Sequence, residues 1–193
     1  MQNAEQSLGW RGSLEEARGE ARENGKLALI FLWHHNCGGS KTMDEVTYPD
    51  DAVRRYVEDH FVPVRFNVLE VPEMEDRFGS GWTPTLIVQD PEGHEHRRSQ
   101  GYLDPRRFLG EMVLARLANA IYHRAFDAAR ERSGEALELT RNDREREPEA
   151  TYWSAVVAYK LSGDREDLIK GWNFLLERFP ESEWAQRAGY IRR

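Results

Sequence analysis

The sequence predicts an α/β unit, with a central mixed sheet flanked by helices, followed by an all-helical extension. Strand-like and helical patterns alternate up to about residue 118, whereas residues 119–193 contain no strand-like run. The chain of 193 residues is long enough for one domain of about 100 residues and a smaller partner. We therefore expect a domain over residues 7–118 and a helical extension over residues 119–193.

The first two elements have clear boundaries. Ser13 and Glu16 have the spacing of a capping box, in which each side chain bonds a backbone N–H at the start of a helix. Gly25 is the matching stop signal. Residues 27–33, "LALIFLW", are apolar on both faces, which is typical of a strand covered on two sides.

A second helical pattern follows this strand. It begins near Ser40, places Met43 and Val46 on one side, with Tyr48 as a further candidate for that side, and is interrupted by Pro49. Another helix then starts at an aspartate, and "FVPVRFNVL" is the second predicted strand.

The α/β unit closes with a hairpin and a helix. After a short helix, "EMEDRF", a strand over residues 85–89 turns back into a strand that ends near Gln100. His94 and His96 alternate along this returning strand, and we expect both to face solvent. The last helix of the unit is predicted over residues 104–118.

The helices of the extension are separated by four predicted breaks: Ser133-Gly134, Glu147-Pro148, Ser162-Gly163 and Phe179-Pro180. We expect residues 141–149, "RNDREREPE", to form a charged, exposed connection. The stretch over residues 151–182 resembles one tetratricopeptide-type repeat. The sequence leaves open whether this extension binds a protein partner or only packs on the domain.

Composition excludes several classes of partner. The net charge of −7 opposes attraction to nucleic acid or anionic lipid, and no long basic run overrides it. The longest apolar run, residues 27–33, is far shorter than the roughly 20 residues of a membrane helix. We expect neither nucleic acid nor a membrane as a partner.

The N-terminus has neither a basic start nor an apolar stretch, so we expect a cytoplasmic protein, or a periplasmic one if a signal peptide has been removed. The chain has a single cysteine, Cys37, which excludes an intrachain disulfide. Redox chemistry would therefore require a second molecule.

Cys37 opens the run Cys37-Gly38-Gly39-Ser40, directly after the first strand. A thiol in the first turn of a helix meets unpaired backbone N–H groups and the positive end of the helix dipole, which lower its pKa. Ser40 can add a hydroxyl donor, and Gly38 and Gly39 leave room for an approaching molecule. The alternative is a buried, unreactive cysteine.

These features resemble the thioredoxin-like superfamily over roughly residues 10–118. The residues that carry the resemblance are "FLWHHNCGGSK", the helix after it, "WTPT" and "GYLDPRRFLGEM". The resemblance implies exchange with protein disulfides or thiols, catalysed by Cys37 with Ser40. It further implies a cis-proline at Pro84, opposite the cysteine. The substrate-binding residues that it implies are Trp33, His35, Gly38, Gly39, Thr83 and Pro84.

The sequence departs from the superfamily at Ser40, because the usual motif is Cys-x-x-Cys. A natural single-thiol protein, one that has lost its redox role and an engineered Cys-to-Ser change are all compatible with this serine. The motif also resembles the Cys-Gly-Phe-Ser of single-thiol glutaredoxins, which implies glutathione as a partner. A binding module without redox turnover is the other alternative.

The two histidines before the cysteine have two interpretations. In the first, one histidine packs locally and the other is exposed. In the second, one of them supplies a positive charge beside the sulfur or a proton to the leaving thiol. A metal site built from His34, His35 and Cys37 lacks a convincing fourth ligand. We therefore expect no metal site and no bound cofactor.

Overall fold

The structure is a computed structural model that describes residues 8–192. The chain divides into two compact units between Leu109 and Gly110. The predicted α/β class of the first unit and the helical character of the second are confirmed. Residue 7, where we placed the start of the first domain, lies outside the described residues.

The first unit consists of a four-stranded sheet and its helices. Its elements are α1 (Leu14–Asn24), β1 (Leu27–Trp33), α2 (Gly38–Thr42), a π-helical turn (Met43–Thr47), α3 (Asp51–His60), β2 (Phe61–Asn67), α4 (Glu73–Phe78), β3 (Thr85–Gln89) and β4 (Glu95–Gln100). Helix α5 (Pro105–Tyr122) crosses the division between the units and extends four residues beyond the end that we predicted.

The sheet is mixed, with the strand order β2-β1-β3-β4. β1 is parallel to β2 and antiparallel to β3, and β3 is antiparallel to β4. β1 is buried except for the half-buried Trp33 at its end. Pro63 lies within β2, which is an edge strand of this sheet, and there its missing N–H leaves no gap in the ladder.

Helix α1 is capped as its sequence predicts. The Ser13 hydroxyl accepts the backbone N–H of Glu16 at 3.1 Å, and Gly25 ends the helix with a left-handed φ of 65°. The Glu16 carboxylate accepts the N–H of Gly12 at 3.0 Å, one residue before the expected partner. The apolar side of α1 packs with the strands in a core that includes Leu14, Ala17, Ala21, Ile30, Leu32, Val62, Val64, Phe66 and Ile87.

A second aromatic cluster is centred on Tyr48. Its ring contacts the rings of Trp10 and Phe31, each at a centroid distance of 5.2 Å, and that of Phe108 at 5.9 Å. Each such pair contributes about 0.5–1.5 kcal/mol beyond the area that it buries. The cluster fixes the end of the helical segment that starts beside Cys37.

The helical pattern after Ser40 differs from our prediction. Met43 is buried as expected, but Val46 is 46% exposed. The cause is the π-helical turn, in which the N–H of Tyr48 bonds the carbonyl of Met43 at 2.9 Å, five residues back. This wider turn rotates Tyr48 and Thr47 into the core in place of Val46.

The hairpin between β3 and β4 buries one histidine that we expected to face solvent. The side chain of His94 is half exposed, whereas that of His96 is 3% exposed. Asp90 explains the difference, since His96 Nε2 and His94 Nδ1 each lie 3.0 Å from its Oδ2. A buried carboxylate needs such partners, so the turn draws His96 inward.

The second unit is helical throughout its described residues. After α5 come α6 (Phe126–Leu139), α7 (Arg146–Ser162), α8 (Arg165–Arg178), α9 (Glu183–Ala188) and a 3₁₀ turn (Gly189–Arg192). The hairpin of α7 and α8 is closely packed, with the rings of Tyr152 and Trp172 stacked at 4.8 Å. That it is a tetratricopeptide-type repeat stays a prediction. No described helix is long and apolar enough to cross a membrane.

Two of the four predicted breaks are wrong. Helix α6 continues through Ser133 and Gly134, because the Ser133 hydroxyl bonds the carbonyl of Arg130 and one glycine is tolerated in a helix. Helix α7 already begins at Arg146, so Pro148 lies in its first turn, where a proline costs no hydrogen bond. The breaks at Gly163 and Pro180 are confirmed.

The connection over residues 141–149 is not fully exposed as we expected. The side chain of Arg146 is 9% exposed, and its Nε donates to Glu111, itself 7% exposed, at 2.6 Å. Asp143 accepts a second hydrogen bond from the same guanidinium at 3.1 Å. Burial lowers the pKa of Arg146, but the two carboxylates outweigh it, so the pKa lies above its ordinary value.

We predict that Arg146→Ala lowers the free energy of unfolding by about 3–5 kcal/mol, because the buried Glu111 carboxylate would lose the guanidinium that donates to it. Urea unfolding followed by far-ultraviolet circular dichroism measures the change. Arg187→Ala is the matched control, since its ion pair with Glu183 is more than half exposed on both sides. A loss of the same size in both variants would contradict the role that we assign to the buried pair.

Candidate functional site

The single thiol lies where the central strand gives way to a helix. β1 ends at Trp33, and the backbone N–H of Cys37 donates to the carbonyl of His34 at 3.0 Å, which closes a tight turn. Cys37 then forms the N-cap of α2 in an extended conformation, with φ −84° and ψ 117°. The residue is half-buried, so the structure does not support a fully buried cysteine.

The sulfur has two hydrogen-bond contacts. Sγ accepts the backbone N–H of Ser40 at 3.4 Å, which is the contact expected of an N-cap side chain. The thiol also donates to the carbonyl oxygen of Thr83 at 3.3 Å. The sulfur is therefore held between the first turn of α2 and the segment before β3.

The pKa of the Cys37 thiol lies below its ordinary value. Burial raises this pKa, but it is outweighed by hydrogen bonds from the side chains of Ser40 and Thr83 and from the backbone N–H groups of Ser40 and Gly39. All these groups stabilise the thiolate rather than the thiol. This direction agrees with the lowered pKa that the sequence predicts, and its cause is the set of hydrogen-bond donors beside the sulfur.

The Ser40 side chain is fully buried, and among the described residues its hydroxyl has no hydrogen-bond partner while Cys37 is a neutral thiol. Ionisation of Cys37 provides a partner, because the hydroxyl can then donate to the thiolate. An unsatisfied buried hydroxyl is unfavourable, so part of the stabilisation of the thiolate is relief of that cost.

The loop that faces the cysteine approaches α2 closely. The peptide bond between Thr83 and Pro84 is cis. A β-carbon added at Gly39 would lie 2.9 Å from Cδ of Pro84, whereas one added at Gly38 would meet no atom within 4 Å. The two glycines thus have different roles. Gly39 makes room for Pro84, and only Gly38 faces open space.

A groove of about 350 Å³ opens beside the sulfur. It is lined by His34, Cys37, Val68, Leu69, Glu75, Gly81, Trp82 and Thr83. Two of its apolar side chains are well exposed, with Leu69 at 56% and Trp82 at 63%. Exposed side chains of this size next to a reactive group are typical of a surface that binds another molecule.

The structure places the two predicted binding residues before the cysteine away from this groove. His35 is exposed and does not line it, whereas His34 does. Trp33 is half-buried at the end of β1, and its ring lies 5.2 Å from the guanidinium carbon of Arg65. Trp33 therefore packs beside β2, and His34 is the histidine that lines the groove.

Sequence reasoning missed five of the groove residues, namely Val68, Leu69, Glu75, Gly81 and Trp82. Leu69 follows β2 and Glu75 lies in α4, so only the folded sheet brings them to the end of β1. Trp82 carried a signal, because it immediately precedes the Thr83-Pro84 pair. A large aromatic residue beside a site-forming loop is a candidate for binding.

The residues considered for a metal site do not converge. Among the described residues, Cys37 does not come within ligating distance of any two further side chains that bind metals well. The Nδ1 atom of His34 instead accepts the backbone N–H of Asn36 at 3.2 Å.

The fold and the site together define an α/β protein that carries a cysteine at the start of a helix, opposite a proline-containing loop. The chain belongs to the thioredoxin-like domain family, whose family model matches residues 14–115. A comparison with curated protein sequences finds no significant match.

Several solved structures are similar to the chain. A thioredoxin from Thermus thermophilus is 24% identical, with 54% of this chain and 85% of that one covered and a TM-score of 0.48. A thioredoxin-fold protein from Helicobacter pylori is 17% identical, covering 61% and 86%, with a TM-score of 0.47. A DsbH oxidoreductase is 15% identical, covering 62% and 83%, with a TM-score of 0.43.

We predict that Gly39→Ala lowers the free energy of unfolding by about 1–3 kcal/mol, because the new methyl group collides with the ring of Pro84. Gly38→Ala is the matched control, and we expect no destabilisation, since alanine favours the helix and meets open space there. Urea unfolding of both variants measures the difference. Equal stability of the two variants would show that Pro84 does not constrain this turn.

We predict that Ser40→Ala raises the midpoint of the alkylation pH profile, because the thiolate loses one donor. In the unmodified protein, the rate should rise with pH around a midpoint below the roughly 8.5 of a free cysteine. Stopped-flow alkylation with iodoacetamide measures both profiles.

Thr42→Ala is the control for Ser40→Ala. It removes a hydroxyl from the same helix, but that hydroxyl bonds the carbonyl of Gly38 and not the sulfur. An upward displacement of the same size in Thr42→Ala would assign the effect to helix stability instead of to the Ser40 hydroxyl.

Proposed function

We propose that the protein is a thiol–disulfide oxidoreductase that acts on protein disulfides through Cys37 as its single thiol. The observation that carries this proposal is the half-exposed sulfur at the N-cap of α2, with a lowered pKa and an open groove beside it. A structural cysteine needs neither the donors nor the groove.

In the first step the Cys37 thiolate attacks one sulfur of a substrate disulfide. The new bond joins Cys37 Sγ to that sulfur, the substrate's own S–S bond breaks, and its other sulfur leaves as a thiolate that takes a proton from solvent. The electron pair of the broken S–S bond stays on the departing sulfur. One of the two substrate cysteines is then reduced, and the other is held in a mixed disulfide with Cys37. The donors around Sγ favour the attacking form and later stabilise Cys37 as a leaving group.

The second step needs a thiol from outside the chain. Cys37 is the only cysteine, and Ser40 stands where a resolving thiol would lie. A second cysteine of the substrate attacks the substrate sulfur of the mixed disulfide, which forms a new substrate disulfide and releases Cys37 as a thiolate. A small thiol such as glutathione instead attacks Cys37 Sγ and releases the substrate sulfur as a thiolate. A second molecule of the small thiol then releases Cys37 as a thiolate and forms the disulfide of that small thiol. With a substrate thiol the net reaction is isomerisation, and with a small thiol it is reduction of the substrate at the expense of that thiol.

Thr83 supports the binding of an extended peptide. In the thiol form its carbonyl oxygen accepts the S–H of Cys37. Once Cys37 is ionised or disulfide-bonded this donor is gone, and the carbonyl is available for a backbone N–H of the substrate. Pairing of this kind adds a short strand to the protein and holds the substrate sulfur near Sγ.

The groove favours a protein substrate over glutathione as the first partner. Glutathione carries two carboxylates, which need cationic or N–H donors. The lining residues include Glu75 but neither lysine nor arginine. They include exposed Leu69 and Trp82, which suit an apolar side chain next to the substrate cysteine.

A binding module without turnover is the second candidate, and the serine at position 40 is the observation that favours it. Such a module would use the same exposed apolar residues to hold a partner non-covalently. Cys37 would then act only as a site of oxidation.

We predict that Cys37 forms a mixed disulfide with an unfolded disulfide-containing protein, and that Ser40→Cys converts this trap into turnover of insulin reduction. The reason is that a thiol one helical turn away can attack the mixed disulfide within the same chain. Mass spectrometry under non-reducing conditions detects the adduct, and turbidity measures insulin reduction with dithiothreitol as the final reductant.

Cys37→Ala and the double variant Cys37→Ala with Ser40→Cys are the controls, and neither should form the adduct or reduce insulin above background. If the unmodified protein forms no adduct and Ser40→Cys gives no turnover, the oxidoreductase proposal is wrong, and the binding module accounts for the groove.

A further inference from the structure

Glu75 is an unpaired carboxylate in the groove beside Cys37. It is half-buried on α4, and within the described residues no lysine, arginine or histidine forms an ion pair with it. The nearest arginine in sequence, Arg77, is directed to Glu15 at 3.5 Å. A partly desolvated charge without a counter-charge is unfavourable, so a cationic ligand gains from meeting it.

The segment around Glu75 is acidic as well. Glu70, Glu73 and Asp76 are exposed in the stretch between the end of β2 and the end of α4. Glu70 is bound only by the side-chain amide of Asn67, at 2.7 Å. The field over this side of the groove is therefore negative, and the net charge of −7 adds to it at long range.

His34 also lines the groove, and its Nδ1 atom accepts the backbone N–H of Asn36 at 3.2 Å. Leu69 and Trp82, two further lining residues, expose apolar surface. One small groove thus combines a reactive sulfur, an apolar wall and an unpaired negative charge.

We propose that this groove selects cysteine-containing segments in which an apolar residue and an arginine or lysine lie close to the reacting cysteine. The cation would pair with Glu75, and the apolar side chain would contact Leu69 and Trp82. Cys37 and Glu75 line the same groove of about 350 Å³, so an extended peptide, which rises ~3.3 Å per residue, reaches both groups within a few residues. The basic residue is therefore expected two or three positions from the cysteine.

This inference rests on the proposed function, because it needs Cys37 to form mixed disulfides. It adds a preference for substrates with a positive charge near the reacting cysteine. This preference follows from Glu75, and the thiol chemistry alone does not produce it. Acidic substrates are disfavoured by the same field, since like charges in a partly buried site repel.

The test uses three peptides that differ at one position. Each has a leucine next to one cysteine, which is activated as the disulfide of 5-thio-2-nitrobenzoate, and arginine, glutamine or glutamate two positions away. Attack by Cys37 forms the mixed disulfide and releases the coloured thiolate, so absorbance gives the rate. The rate of each peptide with β-mercaptoethanol, an uncharged thiol, corrects for intrinsic reactivity.

For the unmodified protein we expect the corrected rates to fall from arginine to glutamine to glutamate, with roughly a fivefold difference between successive peptides at low salt. Glu75→Gln should bring the three rates close together. Salt at about 0.5 M should have a similar effect by screening. Glu73→Gln is the matched control: it removes one exposed charge from the same helix outside the groove lining and should keep the order.

The possible failures are distinguishable. Equal corrected rates for the three peptides, or an arginine preference that survives Glu75→Gln, would overturn the charge selection while the oxidoreductase proposal stands. A loss of the preference in Glu73→Gln as large as that in Glu75→Gln would overturn the specific role of Glu75. Failure to release the coloured thiolate from any peptide would overturn both proposals.

Discussion

The close approach of α2 to the segment before β3 is the constraint on which the site depends. Gly39 packs against the ring of Pro84, and this contact leaves no space for a side chain. It brings the sulfur of Cys37 to 3.3 Å from the Thr83 carbonyl. The sheet makes the contact geometrically inevitable, because β1 and β3 are adjacent and antiparallel, so the end of one lies beside the start of the other.

The same approach determines the electrostatics. The side chains of Ser40 and Thr83 and the backbone N–H groups of Ser40 and Gly39 stabilise the thiolate without a neighbouring cation. The chemistry therefore does not require either histidine of the turn. His34 lines the groove together with Glu75 and the exposed apolar residues, so the surface beside the sulfur is partly polar and partly apolar.

Sequence patterns identified the strands, the first helix cap and Ser40 beside the sulfur, because each depends on local spacing, whereas the role of Thr83 was implied only by the family resemblance. They failed where tertiary contacts decide. Val46 has helical spacing with Met43, but the π-helical turn exposes it. Arg146 lies in a charged run, yet Glu111 holds it inside. Glu75 is one of several acidic residues, and only folding distinguishes it by placing it beside Cys37.

Because Ser40 is completely buried, only Cys37 of this pair is accessible from solvent. A reagent arriving from solvent can meet position 37 but not position 40, so whatever stands at position 40 acts only through the sulfur beside it. The hydroxyl of Ser40 can donate a hydrogen bond to the Cys37 thiolate, but it cannot take part in disulfide exchange. In the oxidoreductase that we propose, a captured disulfide would therefore persist until a thiol reaches it from outside, and the surroundings of the protein would set the lifetime of the captured complex.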